Sequence, residues 1–99
     1  MPLFAVLFED DPTLAAEVRQ RHMPDHLAFL ERNAAAIRAA GPLVEADGSP
    51  GGGLWLVEAT DRAAVQALVH GDPCCPTGLR RSVQVLDWRQ VFAEGKRRI

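Results

Sequence analysis

The sequence lacks any apolar run near the roughly 20 residues that a membrane-spanning helix requires. Its first residues, MPLFAVLFEDD, also lack the basic segment that opens a secretory signal peptide. We therefore expect neither a leader nor a membrane anchor, and we expect a cytoplasmic protein.

Cysteine is scarce, and its placement excludes two kinds of structural site. The two cysteines, Cys74 and Cys75, are neighbours in the chain, and bridging neighbours departs far from ordinary disulfide geometry. Two cysteines without a second pair do not make a structural zinc site either. We expect two small residues in a partly buried turn, with a reactive thiol as the alternative.

Excess positive charge is also missing. The formal net charge is −2 and the pI about 5.8, which argues against a general nucleic-acid binder. The two short basic clusters, Arg80-Arg81 and Lys96-Arg97-Arg98, are expected to be solvated surface charge. Ten arginines against one lysine are typical of a bacterial genome rich in G and C.

The chain is long enough for one domain, residues 1–99, with a single core. Its apolar and turn-forming residues predict seven elements, with Pro24 starting the second helix because proline suits a first turn and not a helix interior. The last residues, 92–99, are expected to be loosely held. The predicted elements are LFAVLF (3–8), TLAAEVRQRH (13–22), a helix from Pro24 to a Gly41-Pro42 stop, LVEA (43–46), LWLVEA (54–59), a helix from a Thr60 cap to Gly71, and SVQVLDW (82–88).

This order, β-α-α-β-β-α-β, predicts an α+β fold of the ferredoxin-like split βαβ kind. Such a fold has a four-stranded antiparallel sheet with its helices on one face. Both sides of the first strand are apolar, however, since Leu3, Ala5 and Leu7 alternate with two phenylalanines and a valine. Because the second face needs a cover, we predict a homodimer packed through the open face of the sheet, similar to a dimeric α+β barrel.

The segment RHMPDHLAFL, residues 21–30, nominates His26 for chemistry. On a helix from Pro24 with a core face marked by Leu27, Leu30, Ala34 and Ile37, His26 lies in the opening turn, about 60° from the centre of that face. The helix dipole there disfavours imidazolium and favours a neutral ring that accepts a proton. The alternative is a histidine that only hydrogen-bonds at a helix start.

Metal and phosphate sites are not expected. His22 and His26 have the i, i+4 spacing of a zinc helix but lack the H-E-x-x-H pattern, and the break expected at Pro24 separates them. The glycine-rich run at 48–53 lacks a Walker pattern and suits a mobile flap over a pocket. Asp72 is either a turn aspartate or a partner for His26.

Several segments resemble the YciI-like (YCII-related) family: PDHLAFLERN, AAGPL, a glycine-rich run before a strand, DRAAVQALVHGDP and GLRRSVQVLDWRQVF. The resemblance spans nearly the whole chain. It implies a dimeric ferredoxin-like fold with a His-Asp pair in a cleft at the dimer, which matches His26 and Asp72. One relative is associated with dehalogenation in chloroaromatic breakdown, and the fold is shared with lactone isomerases and small monooxygenases. Members commonly carry an aromatic residue where Cys74 stands here.

The sequence therefore predicts a small dimeric enzyme, without metal or other cofactor, that moves a proton or eliminates a small group from an organic substrate. His26 is the expected general base and acid, Asp72 its orienting partner, and Arg21 and Cys74 the candidate substrate contacts. The alternative is a non-catalytic dimer that binds a small ligand or a protein, and a third hypothesis is a piece of a larger fused assembly. A meeting of His26 and Asp72 at an open cleft favours the enzyme.

Overall fold

The computed structural model describes all residues, 1–99, and consists of two helices on one face of a four-stranded antiparallel sheet, followed by a short ribbon. The strand order is β2-β3-β1-β4, which confirms the predicted α+β, ferredoxin-like class. Neither helix is both long and apolar enough to cross a membrane. The elements are β1 (Leu3–Asp10), α1 (Ala15–Arg32), β2 (Ile37–Val44), β3 (Pro50–Glu58), α2 (Arg62–Gly71), β4 (Arg80–Asp87), β5 (Phe92–Ala93) and β6 (Lys96–Arg97).

The core lies between the sheet and the helices, and strand alternation selects its residues. In β1 every second side chain is buried against the helices, and the antiparallel pairing with β3 places Trp55 opposite Val6 and Val57 opposite Phe4. The buried cluster comprises Phe4, Val6, Phe8, Phe29, Ile37, Trp55, Val57, Ala59, Val65 and Val69. On the other face the same pairing aligns Leu3, Ala5 and Leu7 of β1 with Glu58, Leu56 and Leu54 of β3. That face has no helix over it.

The two helices predicted before and after Pro24 are one continuous helix, so the observed order is β-α-β-β-α-β. Pro24 lies inside α1 and has no N–H for the carbonyl oxygen of Gln20, four residues earlier. Pro24 and Gln20 are both exposed, so that carbonyl can be hydrated on the solvent side of the helix. The prediction of a helical break there was wrong.

The end of the predicted second helix was also wrong. The helix stops at Arg32 with Asn33 as its C-cap, and Ile37 begins β2, where it pairs with Val57. Gly41 and Pro42 lie within β2 rather than at a helix end. Because β2 is an edge strand, its outer side needs no partner and tolerates a proline, and the register shifts just after Pro42.

Two further local predictions need correction. The N-cap of α2 is Asp61, not Thr60, and its carboxylate accepts a hydrogen bond from the N–H of Ala64 at 2.9 Å. The glycines Gly51, Gly52 and Gly53 are part of β3 and not a mobile linker. At Gly52, φ is +95° and a Cβ would lie 2.2 Å from the carbonyl oxygen of Phe8, so only glycine fits.

A bulge between β1 and β4 determines which side chains reach the helical face. Glu9 pairs with Ser82, but Asp10 pairs with Arg80, so Arg81 has no partner in the ladder. Without the bulge Arg80 would share a face with Ser82, on the open side of the sheet. The extra residue turns Arg80 to the helical side.

The chain after β4 forms a small antiparallel ribbon, in which Phe92 pairs with Arg97 and Ala93 with Lys96. Its turn contains Glu94 and Gly95, both at positive φ.

Candidate active site

A partly open cavity of about 110 Å³ lies between α1 and the helical face of the sheet, at the end of β1 where the bulge occurs. Its wall is formed by six segments: the end of β1, the middle of α1, the facing parts of β2 and β3, the turn after α2, and the start of β4. The lining residues are Phe8, Asp10, Arg19, Met23, His26, Gly41, Pro42, Gly52, Gly53, Trp55, Cys74, Leu79 and Arg80.

The helix periodicity carries His26 into this cavity. Residues at three- and four-residue intervals form the inward stripe of α1, and they include both histidines: Ala15, Val18, His22, His26 and Phe29. His26 was predicted to lie in the first turn of a helix. It lies instead in the interior of α1, so the argument from the helix dipole does not apply. Leu27, which was predicted to face the core, is 48% exposed.

His26 and Asp72 meet. The Nδ1 atom of His26 lies 2.8 Å from Oδ1 of Asp72, with side-chain exposures of 16% and 0%. An ionised carboxylate only accepts hydrogen bonds, so Nδ1 carries the proton and donates it. The Nε2 atom of the neutral ring is then an acceptor, and it has no hydrogen-bond partner within the chain.

Asp72 comes directly after α2, as the C-cap of that helix, with extended backbone angles. Its side chain is fully buried and accepts three hydrogen bonds: from Nδ1 of His26, from Nη2 of Arg80 at 2.6 Å and from the backbone N–H of Cys74 at 3.2 Å. Burial by itself raises the pKa of Asp72, but the His26 hydrogen bond, the positive charge of Arg80 and the Cys74 amide together hold that pKa below its usual value. Asp72 is thus a buried carboxylate held in its ionised form.

Arg80 is the residue that sequence reasoning missed, since it was expected to be solvated. Its side chain is only 9% exposed, and its guanidinium carbon lies 4.0 Å from the centre of the Phe8 ring and 5.1 Å from that of Trp55. The Nη1 atom of Arg80 is the only buried side-chain nitrogen or oxygen without a hydrogen-bond partner. The inward position of Arg80 depends on the bulge beside Arg81. The alternation of a regular strand does not predict such a bulge, so the sequence did not indicate this position.

Aromatic and positively charged side chains form the rest of the cavity wall. Trp55 lies 6.4 Å from the His26 ring and 5.1 Å from the Phe8 ring, centre to centre. Arg19, one turn of α1 before Met23, forms an ion pair of 3.6 Å with Asp10. Neither Trp55 nor Arg19 was a predicted site residue, although Arg19 is three residues from His22 on the inward side of the helix.

The two predicted substrate contacts have different positions. Cys74 lines the cavity and is buried, and burial followed by the charge of Asp72 raises the pKa of its thiol. The Cys74 thiol is therefore an uncharged part of the cavity wall and a poor nucleophile. Arg21 does not line the cavity: its side chain is 70% exposed and pairs with Glu17 on the same helix at 3.4 Å.

Three groups of the kind that bind metals, in His26, Asp72 and Cys74, lie within 4.8 Å of one another. They do not fit a metal ion, because both oxygens of Asp72 already accept hydrogen bonds and the Arg80 cation lies beside one of them. The Cys74 thiol is held neutral, whereas a metal requires the thiolate. The arrangement suits proton transfer by His26.

The sequence model of the YCII-related domain matches residues 2–89. None of the curated proteins with which the sequence was compared matches it significantly.

Among solved structures, the chain is similar to 5-chloro-2-hydroxyhydroquinone dehydrochlorinase from Burkholderia phenoliruptrix AC1100, in complex with 2,5-dihydroxybenzoquinone. The two are 30% identical, the match covers 88% of this chain and 93% of that one, and the TM-score is 0.76. A putative antibiotic biosynthesis monooxygenase from Bacteroides thetaiotaomicron is 14% identical over 96% of this chain and 93% of its own, with a TM-score of 0.58. Rv0793 from Mycobacterium tuberculosis is 18% identical over 95% and 99%, with a TM-score of 0.52.

The last two similarities show the shared fold only. The first, together with the domain match over most of the chain, shows the family. The chain belongs to the YCII-related family.

Proposed function

We propose that this protein is an acid–base enzyme in which His26 removes a proton from a small organic substrate and a leaving group is eliminated. The observation that carries the proposal is the 2.8 Å contact between His26 Nδ1 and the buried Asp72 carboxylate, at the wall of a cavity. The contact fixes the tautomer and leaves Nε2 to accept a proton. The similarity to a dehydrochlorinase supports elimination, including loss of halide, as the form of this chemistry.

The elimination balances without an added cofactor. Nε2 of His26 takes a proton from an acidic O–H or C–H group, and the electron pair left on the substrate forms a new π bond. The leaving group departs with its bonding electrons, so the substrate loses HX. The imidazolium that forms lies against the Asp72 carboxylate, which stabilises it until the proton passes to solvent or to the leaving group.

Halide release from a chlorinated hydroxyhydroquinone tests the proposal. We expect the wild type to release chloride and His26→Gln to lose about 10²- to 10⁴-fold in rate, which is the usual contribution of a positioned base. His22→Gln is the matched control, because His22 is on the same stripe of α1 but does not line the cavity. Equal rates for wild type and His26→Gln, or no turnover of any halogenated or acidic ring compound, would leave a binding module as the better account.

We also propose that a second copy of the chain covers the open face of the sheet. Leu54, Leu56 and Leu7 lie there, and Leu86 of β4, on the same face, is 43% exposed. Light scattering during gel filtration should give a dimer, with Leu56→Glu a monomer. Leu27→Glu, on the exposed side of α1, should stay dimeric, and a wild type that is monomeric at all concentrations would refute the dimer.

We also propose a cytoplasmic location, where the two free thiols, Cys74 and Cys75, would stay reduced.

A further inference from the structure

The Asp72 carboxylate is shared by two side chains, one at each of its oxygens. Oδ1 accepts a hydrogen bond from Nδ1 of His26 at 2.8 Å, and Oδ2 accepts one from Nη2 of Arg80 at 2.6 Å. We propose that Arg80 is a positioning residue for His26: through the shared carboxylate it orients Asp72 and keeps the imidazole in its uncharged, proton-accepting form. The proposal rests on the role of His26 proposed above and specifies what controls the protonation of that base.

Arg80 fixes the orientation of the carboxylate. Oδ1 of Asp72 also accepts the backbone N–H of Cys74 at 3.2 Å, so the contact with Arg80 is the one that holds Oδ2. Without Arg80 this oxygen would be buried and unpaired, and the carboxylate could turn about its last side-chain bond, for which many angles are allowed. The Arg80 contact therefore keeps Oδ1 directed at the His26 ring.

Aromatic side chains hold the guanidinium in place. Its central carbon lies 4.0 Å from the centre of the Phe8 ring and 5.1 Å from that of Trp55. Trp55 also packs beside the His26 ring, at 6.4 Å between centres, so it limits the movement of both groups. The side chain of Arg80 is 9% exposed, and Asp72 is its only ionic partner. The charge of Arg80 is thus fixed in position and poorly screened by water.

This charge opposes protonation of His26. While the ring is neutral, the charges of Arg80 and Asp72 cancel, and uptake of a proton leaves one uncompensated positive charge in a largely buried site. Without Arg80, proton uptake would instead neutralise the carboxylate. A histidine paired only with a buried carboxylate favours imidazolium, which cannot accept a substrate proton. The second cation on the same carboxylate counteracts that preference.

The other ionisable groups on the cavity wall do not disturb this relationship. They come from β1, α1 and the turn after α2, and they are Asp10, Arg19 and Cys74. Asp10 and Arg19 form an ion pair of 3.6 Å, so their charges compensate each other. The Cys74 thiol is uncharged, because burial and the Asp72 charge raise its pKa. Since β2 and β3 contribute no ionisable group to the wall, the charge next to His26 is set by Arg80 and Asp72.

Titration of the His26 ring by NMR tests the proposal without any substrate. The Hε1 signal is followed against pH in the wild type and in Arg80→Gln, which removes the charge but keeps a polar side chain. We expect the midpoint of the His26 titration to move up by at least about one pH unit, as the loss of a unit charge on the far side of the shared carboxylate implies. His22, on the same helix but outside the cavity, is the internal reference and should not move.

Two further variants separate charge from other effects of the substitution. Arg80→Lys keeps the positive charge beside Asp72, so its His26 midpoint should stay within about 0.3 pH unit of the wild type. Arg81→Gln should titrate as the wild type does, because Arg81 is half exposed and pairs with Asp11 outside the cavity.

The wild type itself decides if Arg80→Gln does not fold. Because the two side chains share one carboxylate, the guanidinium ¹⁵N signals of Arg80 should then shift at the same pH as the His26 ring signal. Guanidinium signals that do not change as His26 titrates would overturn the proposal. An unchanged His26 midpoint in a folded Arg80→Gln would overturn it as well.

Turnover distinguishes this proposal from the catalytic one. With a chlorinated hydroxyhydroquinone, the acid side of the pH–rate profile of Arg80→Gln should move up together with the His26 midpoint. At pH values below both midpoints, the rate should therefore fall at least about tenfold relative to the wild type. A His26 midpoint that moves in Arg80→Gln, in a protein whose wild type turns over no halogenated ring compound, would overturn the catalytic role of His26 and leave the role of Arg80 in its protonation standing.

Discussion

Arg80 donates through Nη2 to Oδ2 of Asp72 across 2.6 Å, and neither side chain is substantially exposed. The other oxygen of the same carboxylate is bound to His26. Asp72 thus joins the cation of β4 to the proposed base of α1, and the strength of the first contact affects the geometry of the second.

The Arg80–Asp72 pair should show strong coupling in stability. Arg80→Met removes one partner and leaves a buried carboxylate uncompensated, which typically costs about 3–5 kcal/mol of unfolding free energy. The double variant Arg80→Met/Asp72→Asn should recover much of that loss, because both charges are gone. Urea denaturation of the four proteins in the cycle measures this.

Arg81→Met is the control for that cycle. Its side chain is half exposed and its 3.4 Å ion pair with Asp11 is at the surface, so a change within about 0.5 kcal/mol is expected. A cycle in which the Arg80 and Asp72 effects simply add would contradict the coupling.

Acid should destabilise the protein through Asp72. Burial raises the pKa of Asp72, but the His26 hydrogen bond and the Arg80 charge lower it further, so the folded value lies below the ordinary 3.8. A carboxyl group with a depressed folded pKa stabilises the native state above its unfolded pKa, and this contribution disappears as the pH falls through the folded pKa. The stabilisation that Asp72 contributes is therefore lost below about pH 4.

The unfolding free energy measured between neutral pH and pH 3 tests this sign. The wild type should lose more stability over that range than Arg80→Met/Asp72→Asn, in which the group is absent. Exposed carboxyl groups contribute equally to both proteins, so the difference reports the Asp72 site together with its contacts to His26 and Arg80. Parallel curves would show that Asp72 has the same pKa in the folded and unfolded states.

Two glycines at positive φ should respond differently to alanine. Gly52 has a φ of +95°, and its Cβ would lie 2.2 Å from the carbonyl oxygen of Phe8, while Gly48 has a φ of +88° with nothing within 4 Å. Both substitutions strain the backbone, but only Gly52→Ala forces β3 away from β1 at the cavity wall. We expect Gly52→Ala to cost at least about 2 kcal/mol more than Gly48→Ala, measured by urea denaturation. Equal costs would mean that β1 and β3 separate easily at this point.

The two cysteines should differ in reactivity. Burial first, and the Asp72 charge second, raise the pKa of the Cys74 thiol, whereas Cys75 is partly exposed. Because the thiolate is the reactive form, iodoacetamide at neutral pH should alkylate Cys75 at least about tenfold faster than Cys74. Mass spectrometry of the peptides gives both rates, and Cys75→Ser isolates the slower one. Faster modification of Cys74 would show a thiolate at the cavity wall.

Three of the four strands of the sheet, β1, β3 and β4, were predictable because their pattern is local, whereas the first half of β2 was predicted as helix. The continuous apolar run of β1, the alternation in β4 and the apolar face of α2, with Val65 and Val69, are visible in the sequence alone. Its position after the glycine that ends α2 predicted Asp72 only as a turn aspartate, and the family resemblance implied its pairing with His26. The pairing of Asp72 with His26, 46 residues apart, depends on tertiary packing that no spacing in the chain reveals.

Pro24 misled the prediction of the first helix. A proline in a helix interior usually breaks it, but here the unpaired carbonyl is on the exposed side and the cost is small enough for packing to override. Continuing the stripe of Ala15 and Val18 across Pro24 would have placed His26 on the inward side and Leu27 outside.

The position of Arg80 could not be predicted from the sequence, for a different reason. In a regular strand its parity with Ser82 and Gln84 assigns it to the open face, and next to Arg81 it has the pattern of surface charge. One unpaired residue in the ladder reverses that assignment. A single unpaired residue in the β1–β4 ladder thus causes the departure of Arg80 from its predicted position.

The protonation state of the His26 ring decides whether Nε2 is free to accept a substrate proton. Long-range ¹⁵N–¹H NMR spectra of ¹⁵N-labelled protein distinguish the two neutral tautomers by the shifts of the ring nitrogens. We expect a protonated Nδ1 and an unprotonated Nε2 in the neutral ring of the wild type, and loss of that preference in Asp72→Asn, with His22 as the internal reference. A neutral His26 ring protonated at Nε2 in the wild type would contradict the account, because the nitrogen assigned to accept the substrate proton would already carry one.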